Sequence, residues 1–333
     1  MATYKDLRER TGLSLATISK YYNGGNVREE NRVAIEEAAL EFGYRVNGFA
    51  RSLRTKKSRT VGVLLPKLDN EFHLTVIAGI EAALREHGIS VLVCAGRDTP
   101  GVAVEFLLSN MVDGIIAVPT EQDGEALQAA VTGGVPVVLI DRLLGGLALD
   151  AVVLDNELAA RQAVAHLAAA GHTRIAALVG DQKSWTMRKR RGGFLAAMSR
   201  AGLTAQSADV ISGPLTVAAG RAGMSRLLDA PSRPRAVVCF NYELTVGALI
   251  AINDRGIAVP GELSFVGFDS AELAQVTRPR LSMITQPTPQ IAAQAAALIH
   301  ARLSTDAPPR MHSLVTLASE FVPGASVGPP AGR

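Results

Sequence analysis

Short runs of apolar, mostly β-branched residues alternate with amphipathic segments along most of this 333-residue chain, and this alternation constrains the fold more than any other feature. Continuous apolar strands separated by helical segments are typical of a parallel sheet that is covered by helices on both faces. The runs fall into two groups, which predicts two α/β lobes of similar size at residues 61–155 and 158–285. The predicted strands are 61–65, 91–94, 114–118, 135–140, 175–179, 236–239 and 263–266.

Two further elements follow the second lobe. The Ala-rich segment 288–302 is predicted to be a helix and 314–317 a strand. Because they come so late in the chain, they could return to complete the first lobe, and the connection between the lobes would then act as a hinge. The end of the chain from Pro323 is rich in Gly and Pro, and we expect it to be disordered.

The N-terminal stretch has the outline of a helix-turn-helix. Ser14 can cap a helix of about two turns that ends at Gly24, while Thr3 and Asp6 form a capping-box pattern that opens an earlier helix. A break at Gly12 separates the two helices. In DNA-binding proteins the second helix of such a pair enters the major groove. Two short capped helices also occur in bundles that never meet DNA, so this stretch alone leaves both interpretations open.

Charge is distributed unevenly along the chain. Residues 1–60 contain twelve Lys or Arg against seven Asp or Glu, whereas the remaining residues contain twenty-two against twenty-four. A basic N-terminal segment favours a nucleic-acid partner. The pattern of a signal peptide is not found, no apolar run is long enough to span a membrane, and both cysteines lie in predicted buried strands. We therefore expect a cytoplasmic protein with reduced thiols.

Taken together, the motifs of this chain resemble the LacI/GalR family of transcriptional regulators over almost its whole length. The N-terminal signature of that family matches Thr3-x-Lys-Asp6, Gly12-x-Ser14, Ala16-Thr17-x-Ser19, Asn23-Gly24, Glu29-Glu30, Gly43-Tyr44-Arg45-x-Asn47 and Ala50-Arg-Ser-Leu-Arg-Thr55. The family's core is matched by Asp69-Asn70-x-Phe72, Val112-Asp-Gly-Ile-Ile116, Asp141-Arg142, Asp155-Asn156, Gly171-His172, Arg190-x-x-Gly-Phe194, Gly247-Ala-Leu249 and Val266-Gly-Phe-Asp269.

The resemblance implies an α/β fold with an N-terminal helix-turn-helix DNA-binding domain. A periplasmic-binding-protein-like core of two doubly wound parallel-sheet lobes follows it. The expected boundaries are 1–46 for the DNA-binding domain, 47–59 for a hinge helix and linker, 60–328 for the core and 329–333 for a tail. Within the core, the N-lobe is expected at 60–156 and 288–318, and the C-lobe at 157–287 and 319–328.

The resemblance also implies which residues contact DNA. Leu15, Ala16 and Lys20 occupy positions that read base edges, and only Lys20 among them can donate a hydrogen bond to a base. On its own, the basic segment 47–59 could equally be a solvated linker. In the family it is a hinge helix, in which Leu53 would insert between base pairs of the minor groove beside Arg54. Contacts to phosphates are implied for Thr3, Thr17, Ser19 and Asn23.

In the family, a small effector binds between the lobes, where the carboxyl ends of the parallel strands face each other. The matching positions here are Phe72, His73, Asp141, Ser184, Trp185, Thr186, Arg190, Asn241 and Asp269. An arginine with several carboxylates and an amide suits the hydroxyl groups of a sugar-like ligand, and an aromatic ring suits its apolar face.

Several of these residues also have ordinary structural explanations. Arg190 lies in a cluster of cations that could be a solvated helix face, Asp269 could cap a turn, and His73 could be a packed imidazole. Several positions depart from the family pattern: Arg8, Arg10, Tyr21, Tyr22, Val46, Glu71 and Tyr242. Glu71 replaces a proline, which places a carboxylate at the mouth of the cleft, and Tyr242 replaces an aspartate.

The sequence therefore predicts a ligand-responsive repressor that binds a palindromic operator as a homodimer, with double-stranded DNA and a small, carbohydrate-like effector as its partners. A solute-binding protein with the same core is the alternative. We predict no enzyme activity, cofactor or metal, because dinucleotide-binding, Walker A, zinc-protease and nucleophile-elbow motifs are not found. A C-terminal leucine-heptad helix, on which tetramers of the family rely, is not found either, so we expect dimers.

Overall fold

A computed structural model describes residues 2–22, 25–44, 57–96, 99, 101–304 and 311–330. The chain forms two compact units, Met1–Ser58 and Arg59–Arg333.

Three helices form the N-terminal unit: α1 (Tyr4–Thr11), α2 (Leu15–Tyr22) and α3 (Glu29–Glu41). The capping box is present, since the backbone N–H of Thr3 donates to Asp6 Oδ2 at 2.6 Å. At the start of α2, the backbone N–H of Thr17 donates to Ser14 Oγ at 3.1 Å. These caps fix where α1 and α2 begin. The small core between the three helices consists of Leu7, Ile18, Ile35 and Ala38, all of which are buried.

Tyrosine rings extend this small core. The ring centroids of Tyr4 and Tyr22 are 5.7 Å apart, and those of Tyr22 and Tyr44 are 5.3 Å apart. Burial of aromatic area compensates for the few aliphatic residues available in so short a unit. Tyr22 therefore serves the core, although it lies on the same helix as the predicted DNA contacts.

The first sheet of the second unit is entirely parallel, in the order β11-β5-β4-β3-β1-β2. Its strands are β1 (Thr60–Leu65), β2 (Ser90–Ala95), β3 (Gly114–Ala117), β4 (Val137–Ile140), β5 (Asp150–Leu154) and β11 (Leu314–Leu317). Its helices are α4 (Glu71–Arg85), α5 (Val102–Ser109), α6 (Gly124–Thr132) and α12 (Thr288–Ser304), with a 3-10 turn at Glu121–Asp123. We call this layered body the N-lobe.

The second sheet has the order β12-β10-β9-β8-β6-β7, and only the β10–β12 pair is antiparallel. Its strands are β6 (Ala176–Gly180), β7 (Val210–Gly213), β8 (Ala236–Cys239), β9 (Ser264–Phe268), β10 (Ser282–Thr285) and β12 (Glu320–Val322). Its helices are α7 (Asn156–Ala169), α8 (Trp185–Arg200), α9 (Val217–Leu228), α10 (Tyr242–Asp254) and α11 (Ala271–Val276), with a 3-10 turn at Ser207–Asp209. We call this body the C-lobe.

The predicted fold class is confirmed: two α/β lobes with mainly parallel sheets follow an N-terminal helical unit in the sequence, and α1 and α2 fit a helix-turn-helix. The chain passes between the lobes three times: after β5, after β10, and between β11 and β12. These three connecting segments are short, and each joins elements that belong to different sheets. Together they can act as a hinge. None of the helices in the described ranges is long and apolar enough to cross a membrane.

The prediction of a disordered end from Pro323 is wrong for residues 323–330, which pack along the C-lobe sheet. Ser326 is fully buried; its Oγ donates to Phe265 O at 2.6 Å and accepts from the Ser282 N–H at 2.7 Å. Gly324 lies so close to the backbone that an added Cβ would be 2.3 Å from the carbonyl carbon of Leu281. Gly and Ser are therefore used here for close approach rather than for flexibility.

Candidate functional site

The exposed face of α2 carries the residues that the sequence predicted to read bases. Ile18 is fully buried and anchors the helix to the small core. Leu15 is 39% exposed, and Ala16 and Lys20 are also exposed. Positions 16 and 20 are one turn apart, so their side chains share one face of the helix. This face presents one ammonium group and an apolar surface, which is the chemistry expected of a helix in the major groove.

The predicted phosphate contacts lie around the start of the same helix pair. Thr3 is exposed, and its Oγ1 donates to Asp6 Oδ2 at 2.9 Å. Thr17 Oγ1 and Ser14 Oγ lie 2.9 Å apart, and Ser19 is half-buried. The predicted DNA contacts Asn23, Leu53 and Arg54 lie outside the described residues, as does most of the predicted hinge helix at 47–59.

A cavity of about 160 Å3 lies between the N-lobe and the C-lobe. Eight of the nine predicted ligand-binding residues line it: Phe72, His73, Asp141, Ser184, Thr186, Arg190, Asn241 and Asp269. The ninth, Trp185, is half-exposed and does not line this cavity. The cavity wall on α8 is formed by residues 186, 187 and 190, which share one helical face, and position 185 falls outside that face.

Asp141 and Asp269 occupy equivalent places in the two lobes. Each follows a central strand, β4 or β9, and each has a positive φ, 70° for Asp141 and 74° for Asp269. The N–H of Asp141 donates to Val152 O at 3.0 Å, and that of Asp269 donates to Ile284 O at 2.8 Å. This left-handed backbone is disfavoured for most residues but tolerated by aspartate, and it turns the chain at the edge of the cleft.

Arg190 is the central cation of the cleft and is only 2% exposed. Its Nε donates to Asn156 Oδ1 at 2.7 Å, and its Nη1 donates to Phe240 O at 2.6 Å. The guanidinium carbon lies 3.9 Å from the centroid of the Phe268 ring, and this cation–π contact orients the guanidinium group. Nη2 has no hydrogen-bond partner among the described residues. A rigid, charged donor is therefore available to a ligand.

Burial and neighbouring charges shift the pKa values of the titratable groups in the cleft in different directions. Burial raises the pKa of Asp269 to about 6, although the nearby Arg190 opposes the shift. The pKa of Asp141 is lowered despite burial, because Arg142 and Arg190 stabilise its carboxylate. Burial lowers the pKa of His73, so this imidazole is neutral at neutral pH. Asp269 is thus the carboxylate of the cleft whose pKa is raised into the slightly acidic range.

Sequence reasoning missed five polar residues that line the cavity: Lys67, Asn70, Arg142, Glu243 and Gln286. Glu243 Oε1 accepts from Lys67 Nζ at 2.9 Å and from Asn70 Nδ2 at 2.9 Å. Gln286 Nε2 donates to Asp269 Oδ1 at 2.7 Å. Most of these residues follow the carboxyl end of a parallel strand, as the predicted ones do, and this position is the signal that could have identified them.

Four polar atoms of the cavity are buried and have no hydrogen-bond partner among the described residues: His73 Nδ1, Ser184 Oγ, Thr186 Oγ1 and Gln286 Oε1. A buried polar atom without a partner is costly, so four of them around one cavity need an explanation. Their arrangement is that of a site prepared for a ligand with several hydrogen-bonding groups.

A second cavity of about 190 Å3 shares Phe72, Asp269 and Gln286 with the first and also lies between the lobes. Glu71 lines it, and Glu71 Oε1 accepts from Ser270 Oγ of the C-lobe at 3.3 Å. The carboxylate expected at the mouth of the cleft is therefore present there. The two cavities adjoin at these shared residues, and we call the first the inner chamber and the second the outer chamber.

The model of the periplasmic binding protein-like domain matches residues 164–327 of the chain. A similar protein is the HTH-type transcriptional repressor CytR of Escherichia coli strain K12, which is 31% identical over 302 residues and covers 90% of this chain and 89% of its own length. The comparison supports a DNA-binding regulator rather than a solute-binding protein.

Solved structures give the same result. The Lac repressor dimer bound to operator and the anti-inducer ONPF has a TM-score of 0.87 at 25% identity and covers 98% of this chain and 99% of its own. The transcriptional regulator CelR in complex with cellobiose has a TM-score of 0.74 at 26% identity, with coverage of 98% and 100%. The chain thus belongs to the LacI/GalR family and is a ligand-regulated, DNA-binding transcriptional regulator.

Proposed function

We propose that the inner chamber of the cleft binds a neutral, carbohydrate-like effector. The observation that carries this proposal is the set of four buried polar atoms without partners around the chamber. They comprise a neutral imidazole, two hydroxyl groups and an amide oxygen, and each can exchange a hydrogen bond with a ligand hydroxyl. Phe72 lines the same chamber and offers an apolar face to a sugar ring.

The charge around the inner chamber supports a neutral ligand. The lining contains the cations Lys67, Arg142 and Arg190 and the anions Asp141, Glu243 and Asp269. These charges balance. A phosphate or carboxylate group on a ligand would therefore be repelled by the carboxylates of the lining, without an excess cation to offset that repulsion. The similarity to CelR, whose solved complex contains cellobiose, points to the same ligand class.

A thermal-shift screen tests the effector class directly. Neutral sugars, sugar acids, nucleosides and nucleobases are added to the full-length protein, because a ligand that binds only the folded state raises its melting temperature. We expect neutral mono- or disaccharides to raise it. A shift with sugar acids or nucleobases alone would contradict the proposal.

On DNA, we propose that Lys20 donates a hydrogen bond to guanine O6 or N7 in the major groove and that Leu15 and Ala16 make apolar contacts. Thr3, Thr17, Ser19 and Asn23 would hold phosphates, while Leu53 and Arg54 would act in the minor groove at the centre of the operator. The exposure of Leu15, Ala16 and Lys20 on one side of α2 supports the base-reading part. A cytoplasmic protein that represses transcription at its operator is the corresponding cellular role.

We also propose that the working form is a homodimer on a palindromic operator. The C-lobe has an apolar groove of about 450 Å3 along α10 and α11, beside which Val276 is 75% exposed. Apolar side chains of the N-lobe, among them Leu74 and Phe106, are also about half exposed. A second copy would cover both faces, as the dimeric form of the similar Lac repressor suggests. Light scattering should give twice the chain mass; a monomer or a tetramer would contradict this.

Effector control follows if the ligand prefers one arrangement of the two lobes. A ligand shifts an equilibrium only by its difference in affinity for the two states. Because the proposed effector contacts both lobes, it can distinguish one inter-lobe angle from another. The connections after β5 and β10 and between β11 and β12 would bend, and the change would alter the affinity for the operator.

Effector affinity is expected to rise with pH through about 6. Burial raises the pKa of Asp269 to about 6, and a ligand hydroxyl donates a stronger hydrogen bond to the ionised carboxylate than to the protonated acid, which keeps only part of its acceptor capacity. Binding therefore favours the ionised form and weakens as pH falls below that value. The pKa values of Asp141 and Glu243 are lowered, so these groups stay ionised across the window.

Calorimetric titrations between pH 5 and 7.5 measure this dependence for the sugar identified by the screen. The wild type should approach a limiting slope of one proton released per effector bound. Asp269→Asn, which cannot titrate, should bind with an affinity that is independent of pH. An equal slope in both proteins would show that another group is responsible.

A further inference from the structure

Glu243 is a buried carboxylate that joins the two lobes across the cleft. It is only 7% exposed and lies in the first turn of α10 in the C-lobe. Its Oε1 accepts two hydrogen bonds from the N-lobe, from Lys67 Nζ and Asn70 Nδ2, both at 2.9 Å. Its Oε2 accepts one from its own lobe, from Asn241 Nδ2 at 2.6 Å. Three donors from two lobes therefore converge on one side chain.

The two asparagines are themselves fixed by the helices that they cap. Asn70 Oδ1 accepts from the His73 N–H at 3.2 Å at the start of α4, and Asn241 Oδ1 accepts from the Leu244 N–H at 3.1 Å at the start of α10. Each amide oxygen is thus used by a helix of its own lobe, and each NH2 group is left to donate to Glu243. The carboxylate connects the N-termini of two helices, whose dipoles favour a negative charge there.

Two other polar contacts between the lobes in the described part of the chain are weaker by geometry or by exposure. Arg188 and Glu121 approach to 3.8 Å, with side chains that are 49% and 56% exposed. Ser270 Oγ donates to Glu71 Oε1 at 3.3 Å. Ion pairs in solvent contribute little, whereas charged hydrogen bonds inside a cleft are stronger. Among these contacts, the Glu243 cluster is the one that can hold the cleft closed.

We infer that Glu243 is a clasp, a positioning residue that keeps the two lobes together before an effector arrives and so sets how often the cleft opens. Opening the lobes separates Glu243 from Lys67 and Asn70, and water must then solvate the separated groups. The clasp thus biases the effector-free protein toward the closed arrangement. A ligand that enters the inner chamber stabilises an arrangement that already exists, rather than assembling it.

This inference rests on the effector role proposed for the cleft, but it is tested without any effector. The reporter is Thr186→Cys, placed at a cleft position that is 2% exposed, in a Cys94→Ser background that leaves only the fully buried Cys239. Alkylation by iodoacetamide, followed by mass spectrometry, then measures how often the closed cleft opens. When opening and closing are fast, the alkylation rate follows the population of the open form.

Glu243→Gln should raise the alkylation rate of Cys introduced at position 186 about tenfold, because the variant amide presents an NH2 donor to groups that are themselves donors. Lys67→Met removes the N-lobe ammonium group that donates to Glu243, and the Lys67 side chain is only partly buried. This variant should also raise the alkylation rate. Combined, the two substitutions should have less than the product of their separate effects, because both break one interaction.

Lys189→Met is the matched control. It removes a Lys–Glu pair of the same length, 2.9 Å to Glu157, which lies wholly within the C-lobe. Its alkylation rate should equal that of the parent. Parent-like rates in both Glu243→Gln and Lys67→Met would overturn the clasp, as would a lowered melting temperature without faster alkylation, which would assign Glu243 a purely structural role. If no sugar raises the melting temperature in the thermal-shift screen, the proposed effector class is contradicted, but the outcome of the alkylation experiment is unaffected.

Discussion

Arg190→Lys is expected to weaken effector binding about 100-fold, since charged hydrogen bonds contribute about 1.5–3 kcal/mol each and lysine cannot reproduce the planar fork. In the structure, Nε and Nη1 are held by Asn156 and Phe240, which leaves Nη2 for the ligand. A lysine keeps the positive charge between the carboxylates, so the fold should survive. Calorimetric titration with the sugar found by thermal shift measures the loss.

Arg191→Lys provides the control for this substitution. Arg191 is the next residue on α8 and is exposed, so its replacement should leave effector affinity within about twofold of the wild type. Operator binding in the absence of effector should be retained in both variants. Equal effector affinities in Arg190→Lys and the wild type would remove Arg190 from the binding site.

Lys20→Ala is expected to weaken binding to a palindromic operator by about 10- to 100-fold, because one good contact to a base edge contributes about 1–3 kcal/mol of discrimination. Binding to a scrambled duplex should fall far less, since only one of many phosphate attractions is lost. Lys5→Ala removes the same charge from the exposed surface of α1 and should weaken both duplexes equally. Fluorescence anisotropy measures the affinities of the wild type and both variants for the two duplexes, and from them the ratio of operator to scrambled-duplex binding for each protein.

Leu53→Ala extends the same experiment to the proposed hinge. Loss of a minor-groove wedge should weaken operator binding far more than scrambled-duplex binding, because only the operator would be kinked productively. An equal loss on both duplexes would contradict the wedge role. Similarly, a Lys20→Ala variant that loses as much affinity for scrambled DNA as for the operator would reduce Lys20 to a phosphate contact.

The lobes could be predicted because buried parallel strands appear in the sequence as continuous apolar runs, such as Val61 to Leu65 and Ala236 to Cys239. The patterns missed four strands, each of which is short or carries a polar residue. β5 begins with the buried Asp150, β7 reads Val-Ile-Ser-Gly at a sheet edge, β10 begins with a buried serine, and β12 has three residues. In these strands the sheet neighbours, rather than local propensity, decide the conformation.

The predicted cleft residues came from the resemblance to the LacI/GalR family, and most of them meet in the structure because the carboxyl ends of parallel strands converge in both lobes. Asp141, Asn241 and Asp269 each follow such an end. The position of Glu243 after the end of β8 marks it as a cleft residue, but its contact with Lys67 could not be predicted, because the two residues are 176 positions apart in sequence and lie in different lobes. The same limit applies to the end of the chain, where Gly324 and Ser326 have a composition typical of disorder but a tertiary role in packing.

We expect occupation of the cleft to change the affinity of the protein for DNA. In the most direct test, the protein is titrated into a labelled palindromic operator that has been selected from a random duplex library. The titration is done with and without a saturating concentration of a sugar that raises the melting temperature. We predict that the sugar changes the operator Kd by about fivefold or more in the wild type, within the usual range of coupling between sites. At the same sugar concentration, the Kd should not change in Arg190→Lys. An unchanged Kd in the wild type, with the sugar demonstrably bound, would contradict the account.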